Sequence, residues 1–137
     1  MPTQTTIGVL LVNSDDAELK QWRFALKEVY RDRVMVFEAS ADREAATIFK
    51  NSPEVELRLL FKRTPEGMDS GRRFRRFRDL VGNPPDRTVL GICAADIPEV
   101  IVQNGVECWP IKYNLCILRL VQLVEALLAA KQLGGQS

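Results

Sequence analysis

Residues 55–74 read VELRLLFKRTPEGMDSGRRF. An apolar, β-rich run comes first. A loop punctuated by Pro65, Gly67 and Gly71 follows, and then a stretch dense in arginine. Apolar run, turn residues and a renewed helical period describe a strand, a shaped loop and a helix. Open α/β sheets keep their sites at the carboxyl ends of strands. The residue expected to close this strand is Phe61, whose ring offers neither a nucleophile nor a ligand atom.

On either side of this stretch the same unit recurs. Ile7 to Val12, IGVLLV, is a continuous apolar run of the kind covered on both faces in a parallel sheet. Asn13 and Ser14 come next. Ser14 or Asp15 is placed to cap the next helix, with acidic residues in its first turn. Leu19, Trp22, Leu26 and Val29 recur at three- and four-residue steps, giving that helix one apolar face. RVMVFEA is a second strand, and 41–51 a short helix with Ala45, Ile48 and Phe49 inward. VELRLLF is the third strand, ending at Phe61, and a helix is expected from about Gly71 to Val81. After the break GNPPD come a fourth strand, TVLGIC, and a short helix in DIPEVIVQNG ended by Asn-Gly. VECWPI is the fifth strand, and the last helix runs from Asn114 to Lys131. The expected domain is 1–131, with 132–137 a flexible tail or linker stub.

Five β–α units in succession give an α/β fold, a five-stranded parallel sheet with helices on both faces. The candidate site then comprises the residues at and just past the ends of strands one, three, four and five: Asn13 and Ser14, Phe61, Cys93 and Ala94, Lys112 and Tyr113.

Composition narrows the chemistry. The 137 residues suit one domain, and 46% hydrophobic with 27% charged residues is globular composition. A net charge of +1 gives no global bias toward polyanions. There is no histidine, which removes Ser-His and Cys-His nucleophile systems and the imidazole metal ligand. Three cysteines without CxxC spacing read as small buried hydrophobes in a reducing compartment. No signal peptide is visible at MPTQTT, and the apolar stretch LCILRLVQLVEALLAA is short for a membrane span. A cytoplasmic protein without a membrane segment is expected.

The pattern resembles the receiver domain of bacterial response regulators, over about Ile7 to Leu128. TPEGMDSG is similar to that family's Met-Pro-x-Met-Asp-Gly loop with one extra residue, and Lys112 stands where the family keeps a lysine. The resemblance implies a flavodoxin-like, CheY-like fold. It also implies where the chain departs from the family. The family's metal-binding acidic pair corresponds to Asn13 and Ser14, its phosphoacceptor aspartate to Phe61, its switch hydroxyl to Cys93, and the proline after its lysine to Tyr113. Aspartyl phosphorylation needs a carboxylate nucleophile and a divalent ion held by hard oxygen ligands. The expected pocket is therefore degenerate, with no catalytic residue, no metal and no cofactor.

Several residues carry two readings. Lys112 either contacts an anion or pairs with Asp15 or Asp16. Trp109 is either packed or faces a partner. Arg72, Arg73, Arg75, Arg76 and Arg78 surround Phe74 and Phe77 and form either a solvated helix face or a basic patch for nucleotide or nucleic acid. The last helix is apolar over more than one face. Together with Ile97, Val100 and Ile101 of the preceding segment, its Leu118 and Val121 are expected to build an interface. The expected role is that of a phosphorylation-independent pseudo-receiver in signal transduction or transcription regulation. It would act by homodimerisation or by docking to another signalling domain. The alternative is a regulatory module that binds nucleotide or nucleic acid through the arginine helix.

Overall fold

The computed structural model describes residues 6–51, 58–63, 88–94, 99, 101–103, 106–110 and 115–134. They form β1 (Ile7–Val12), α1 (Asp16–Tyr30), a 3-10 turn (Arg31–Arg33), β2 (Val34–Ala39), α2 (Asp42–Lys50) and β3 (Arg58–Arg63). β4 (Thr88–Ala94), β5 (Ile101–Gln103), β6 (Val106–Pro110) and α3 (Leu115–Gly134) complete them. Ile97, Arg72, Arg73, Arg75, Arg76, Arg78, Lys112 and Tyr113 lie outside the described residues, as does the helix expected over 71–81.

The sheet runs β2-β1-β3-β4-β6-β5. β1 pairs in parallel with β2 and β3, β3 with β4, and β4 with β6. This is the α/β arrangement expected from the repeated units, with one correction. The described residues form six strands, and the edge strand β5 is antiparallel to β6. The segment expected as a helix ending in Asn-Gly instead holds Ile101 in this strand, opposite Cys108. Two residues, Asn104 and Gly105, separate β5 from β6, and Asn-Gly between β-rich runs is a hairpin signal before it is a helix cap. Ile101, Val102 and Val106 are β-branched, which favours the pleated alternative.

β1 alternates between two layers. Ile7, Val9 and Leu11 join Leu19, Trp22, Leu26 and Tyr30 of α1 and Leu120, Val124 and Leu128 of α3 in one buried cluster. Leu10 and Val12 are buried outside that cluster, and α2, with Ala45, Ala46 and Phe49 buried, packs against β1 and β2. Helices thus cover both faces of the sheet. Ile48 is only half-buried, and Ala46 takes the inward position beside Ala45. On α1 the inward face is completed by Tyr30, and Val29 is exposed. A step of four from Leu26 stays on the stripe that faces α3, and a step of three leaves it. The Tyr30 hydroxyl donates to the Val121 carbonyl at 2.9 Å, so the phenol ties α1 to α3.

Asp15 caps α1, accepting from the amides of Ala17 at 3.0 Å and Glu18 at 3.3 Å. These are donors the first helical turn leaves open. Arg31 ends the helix with φ of 50°, a region that glycine usually fills, and its amide donates to Lys27 O. Arg23 of α1 and Glu38 of β2 approach to 3.0 Å, close enough for an ion pair but outside hydrogen-bond alignment. α3 runs three residues past the domain boundary expected at Lys131, and Lys131 donates to Thr6 O at 2.6 Å.

Candidate functional site at the carboxyl end of the sheet

β1, β3 and β4 end side by side. Register sets Leu11 beside Phe61 and Val12 beside Lys62. On the other side of β3 it sets Phe61 beside Gly91 and Arg63 beside Cys93. β3 runs two residues past the end that the apolar run indicates, to Arg63. Phe61 is therefore within the strand, and Arg63 closes it. The guanidinium of Arg63 pairs with the carboxylate of Glu18, in the first turn of α1. This ion pair links the end of β3 to the start of α1. Sequence reasoning passed over both partners. The signal available was a basic pair, Lys62-Arg63, following the apolar run, with Glu18 one turn beyond a capping aspartate.

Asn13 follows β1 and is 3% exposed, the only buried polar or charged residue among those described. Its amide donates to Ala39 O at 3.0 Å, holding the end of β1 to the end of β2. Its side-chain Oδ1 accepts from the Asp15 amide at 2.9 Å, an Asx turn that leads the chain into α1. Its Nδ2 is buried without a hydrogen-bond partner. Ser14, next in sequence, is exposed.

The donor chemistry at this position does not fit a resident magnesium ion. Magnesium is held through carboxylate oxygens in near-octahedral geometry. At Asn13 the one side-chain oxygen is committed to Asp15 N, and the group left over is an N–H donor. The nearest carboxylate in sequence, Asp15, is turned to the α1 amides, with Oδ1 accepting from Ala17 and Glu18.

Trp109 sits in β6 opposite Cys93 and is fully buried in the core shared by α1 and α3. Of its two readings, packing and a place at an interface, the burial supports packing. Val121 is half-buried against that core, and its carbonyl accepts from Tyr30. Leu118, one helical turn before Gln122, is 58% exposed.

Cys93 departs from the reading of three free thiols. It is 1% exposed, as expected of a small hydrophobe, but it is disulfide-bonded. Burial raises the pKa of the Tyr30 phenol above its usual 10.0; the Glu125 carboxylate adds to the rise, and Arg33 opposes it.

No helix among the described residues is long and apolar enough to cross a membrane. No family model matches the chain, and no curated protein matches it. Solved structures are similar to the chain, among them these two. One is the receiver domain of the hybrid histidine kinase CckA, 20% identical with a TM-score of 0.56, the match covering 88% of this chain and 98% of that one. The other is the pilus assembly protein CpaE from Caulobacter crescentus CB15, 17% identical with a TM-score of 0.58, over the same shares of the two chains. At these identities the likeness is one of fold: over 88% of its length, the chain has the architecture of a receiver domain.

Proposed function

We propose that the chain is a phosphorylation-independent pseudo-receiver, a non-enzymatic signalling module that works by docking to a second copy of itself or to another signalling domain. The observation that carries this reading is Asn13. It stands buried at the carboxyl end of β1 with its oxygen engaged by Asp15 N and an orphan N–H left over. An engaged oxygen and a buried amide donor offer a metal ion no carboxylate ligand at this position. Phe61, in register between Leu11 and Gly91, adds an inert residue where the resemblance implies an acceptor. Docking is favoured by Leu118 and Leu133, large apolar residues exposed on α3. Exposed leucines on a helix whose opposite face is already packed suit an interface.

The test has two arms. Incubation with a small-molecule phosphodonor and magnesium is expected to leave the intact mass unchanged; a phosphoryl increment sinks the phosphate-independent reading. Sedimentation of the parent chain and of Leu118→Glu tests docking between copies. A folded variant lighter than the parent supports self-association through α3. A parent that stays monomeric at high micromolar concentration leaves a heterologous domain as the partner.

A further inference from the structure

Cys93 lies near the end of β4, between Arg63 of β3 and Trp109 of β6 in register. It belongs to the same buried cluster as Trp22, Trp109, Leu120 and Val124, on the face of the sheet that α1 and α3 cover. It is disulfide-bonded, and the chain has only two other cysteines, at 108 and 116. Strand alternation sets position 108 on the face of β6 opposite to Trp109. Position 116 falls in the first turn of α3, the helix that covers the Cys93 face.

We propose that Cys93 and Cys116 form a thiol–disulfide switch that fastens the first turn of α3 to the carboxyl end of β4, so that oxidation state sets the conformation of this end of the molecule. The cross-link encloses the β5–β6 hairpin and the segments that flank it, which makes the hairpin edge of the sheet the part most affected. A dithiol opens the cross-link. One thiolate attacks a sulfur of the pair, giving a mixed disulfide and one cysteine thiolate. The second thiolate of the reagent then displaces the other cysteine. Two electrons and two protons end on the cysteines, and the dithiol leaves as its own disulfide. Closure is the reverse exchange with a disulfide oxidant. Because Cys93 is buried, exchange in the native state is gated by lifting of the first turn of α3 and is slow.

This inference does not depend on the phosphate-independent reading: a chain that took up phosphate with its cross-link intact would overturn that reading and leave this one standing. The test is thiol counting with amide exchange. Alkylation in denaturant without reductant is expected to modify one thiol, and three after reduction. Cys116→Ser is expected to abolish the cross-link and expose two thiols, and Cys108→Ser to retain it and expose none. The reverse pattern overturns the pairing, and three free thiols in protein treated with a disulfide oxidant overturn the cross-link itself. Reduction is expected to lower Tm by about 10 °C and to speed amide exchange across residues 115–119 by about tenfold while α1 is unchanged. Equal exchange in the two states overturns the switch and reduces the disulfide to a staple. Cys93→Ala, compared with reduced parent, serves where the Cys116 variant does not fold.

Discussion

The two ends of the sheet are built differently. At the amino end, contacts join residues far apart in the chain. Lys131 reaches Thr6 O, Tyr30 reaches Val121 O, and Lys27 Nζ reaches Val34 O at 2.9 Å. Lysines from two helices place positive charge on backbone carbonyls there. Among the described residues, most hydrogen bonds at the carboxyl end are local. Asn13 serves Asp15, Asp15 serves Ala17 and Glu18, and Glu44 accepts from the amide and hydroxyl of Ser40 at 3.3 and 3.2 Å. Among the described residues, the Arg63–Glu18 pair is the ion pair that ties two elements at this end. Long-range contacts are made once, when the fold closes, and suit a scaffold. Local caps leave each loop free to change without unfolding its neighbour, which suits an end of the molecule that varies between proteins of one fold.

The largest test of this contrast lies in the scaffold. Leu120→Ala removes a buried side chain from the cluster that α3 shares with α1 and is expected to cost about 2–5 kcal/mol. Denaturant unfolding at constant m-value measures it. Leu118→Ala, two residues away and exposed, is expected to cost under about 0.5 kcal/mol; comparable losses would erase the distinction between the faces of α3.

Asn13→Asp probes the carboxyl end. Burial raises the pKa of a carboxyl group at this position, so the unfolded chain ionises first as pH rises. Stability relative to the parent is retained below about pH 3.9, the ordinary aspartate value, and lost above it. A loss of about 1–3 kcal/mol at pH 7 is expected. Recovery of the parent midpoint on adding millimolar magnesium would show that this end still has the geometry of a metal site, and that only the residue type closes it.

Tyr30→Phe tests the amino end by deleting one tertiary hydrogen bond, at an expected cost of about 1 kcal/mol. The raised phenol pKa carries its own signature. The unfolded chain loses this proton first, at about pH 10, so the contribution is complete below that value and declines as pH rises toward the folded pKa. The alkaline fall in the urea midpoint should be shallower in the variant. Parallel profiles would assign the fall to other groups.

The smallest effect is expected from the pair that bridges β3 and α1. Arg63 and Glu18 are partly exposed, and such pairs contribute between about 0 and 1 kcal/mol. A double-mutant cycle with Arg63→Met and Glu18→Gln is expected to return a coupling in that range that shrinks with added salt. A coupling above about 2 kcal/mol would make this pair a structural tie equal to those at the amino end.

The repeat of apolar run, turn and helix is written in the sequence alone, because the periods of two and 3.6 and the capping residues act locally. IGVLLV, the capping pair Ser14 or Asp15 and the stripe Leu19, Trp22, Leu26 needed no tertiary information to be read as strand, cap and buried face, and the structure chose Asp15. The missing carboxylate after β1 was equally legible, since Asn13 is asparagine in any fold. Other features exist only once the chain has closed. Ile101 pairs with β6 and not with a helical turn, because a two-residue Asn-Gly link can serve either element and the neighbouring strand settles which. Tyr30 displaces Val29 from the core because α3 lies where its hydroxyl finds Val121 O. Trp109 is buried because two helices meet over it. Arg63 finds Glu18 only once β3 is set beside β1, and Cys93 becomes a disulfide instead of a free thiol only when chain closure brings a second sulfur to it. Each of these depends on contacts that the local period does not encode, and sequence periodicity holds no information about distance across the fold.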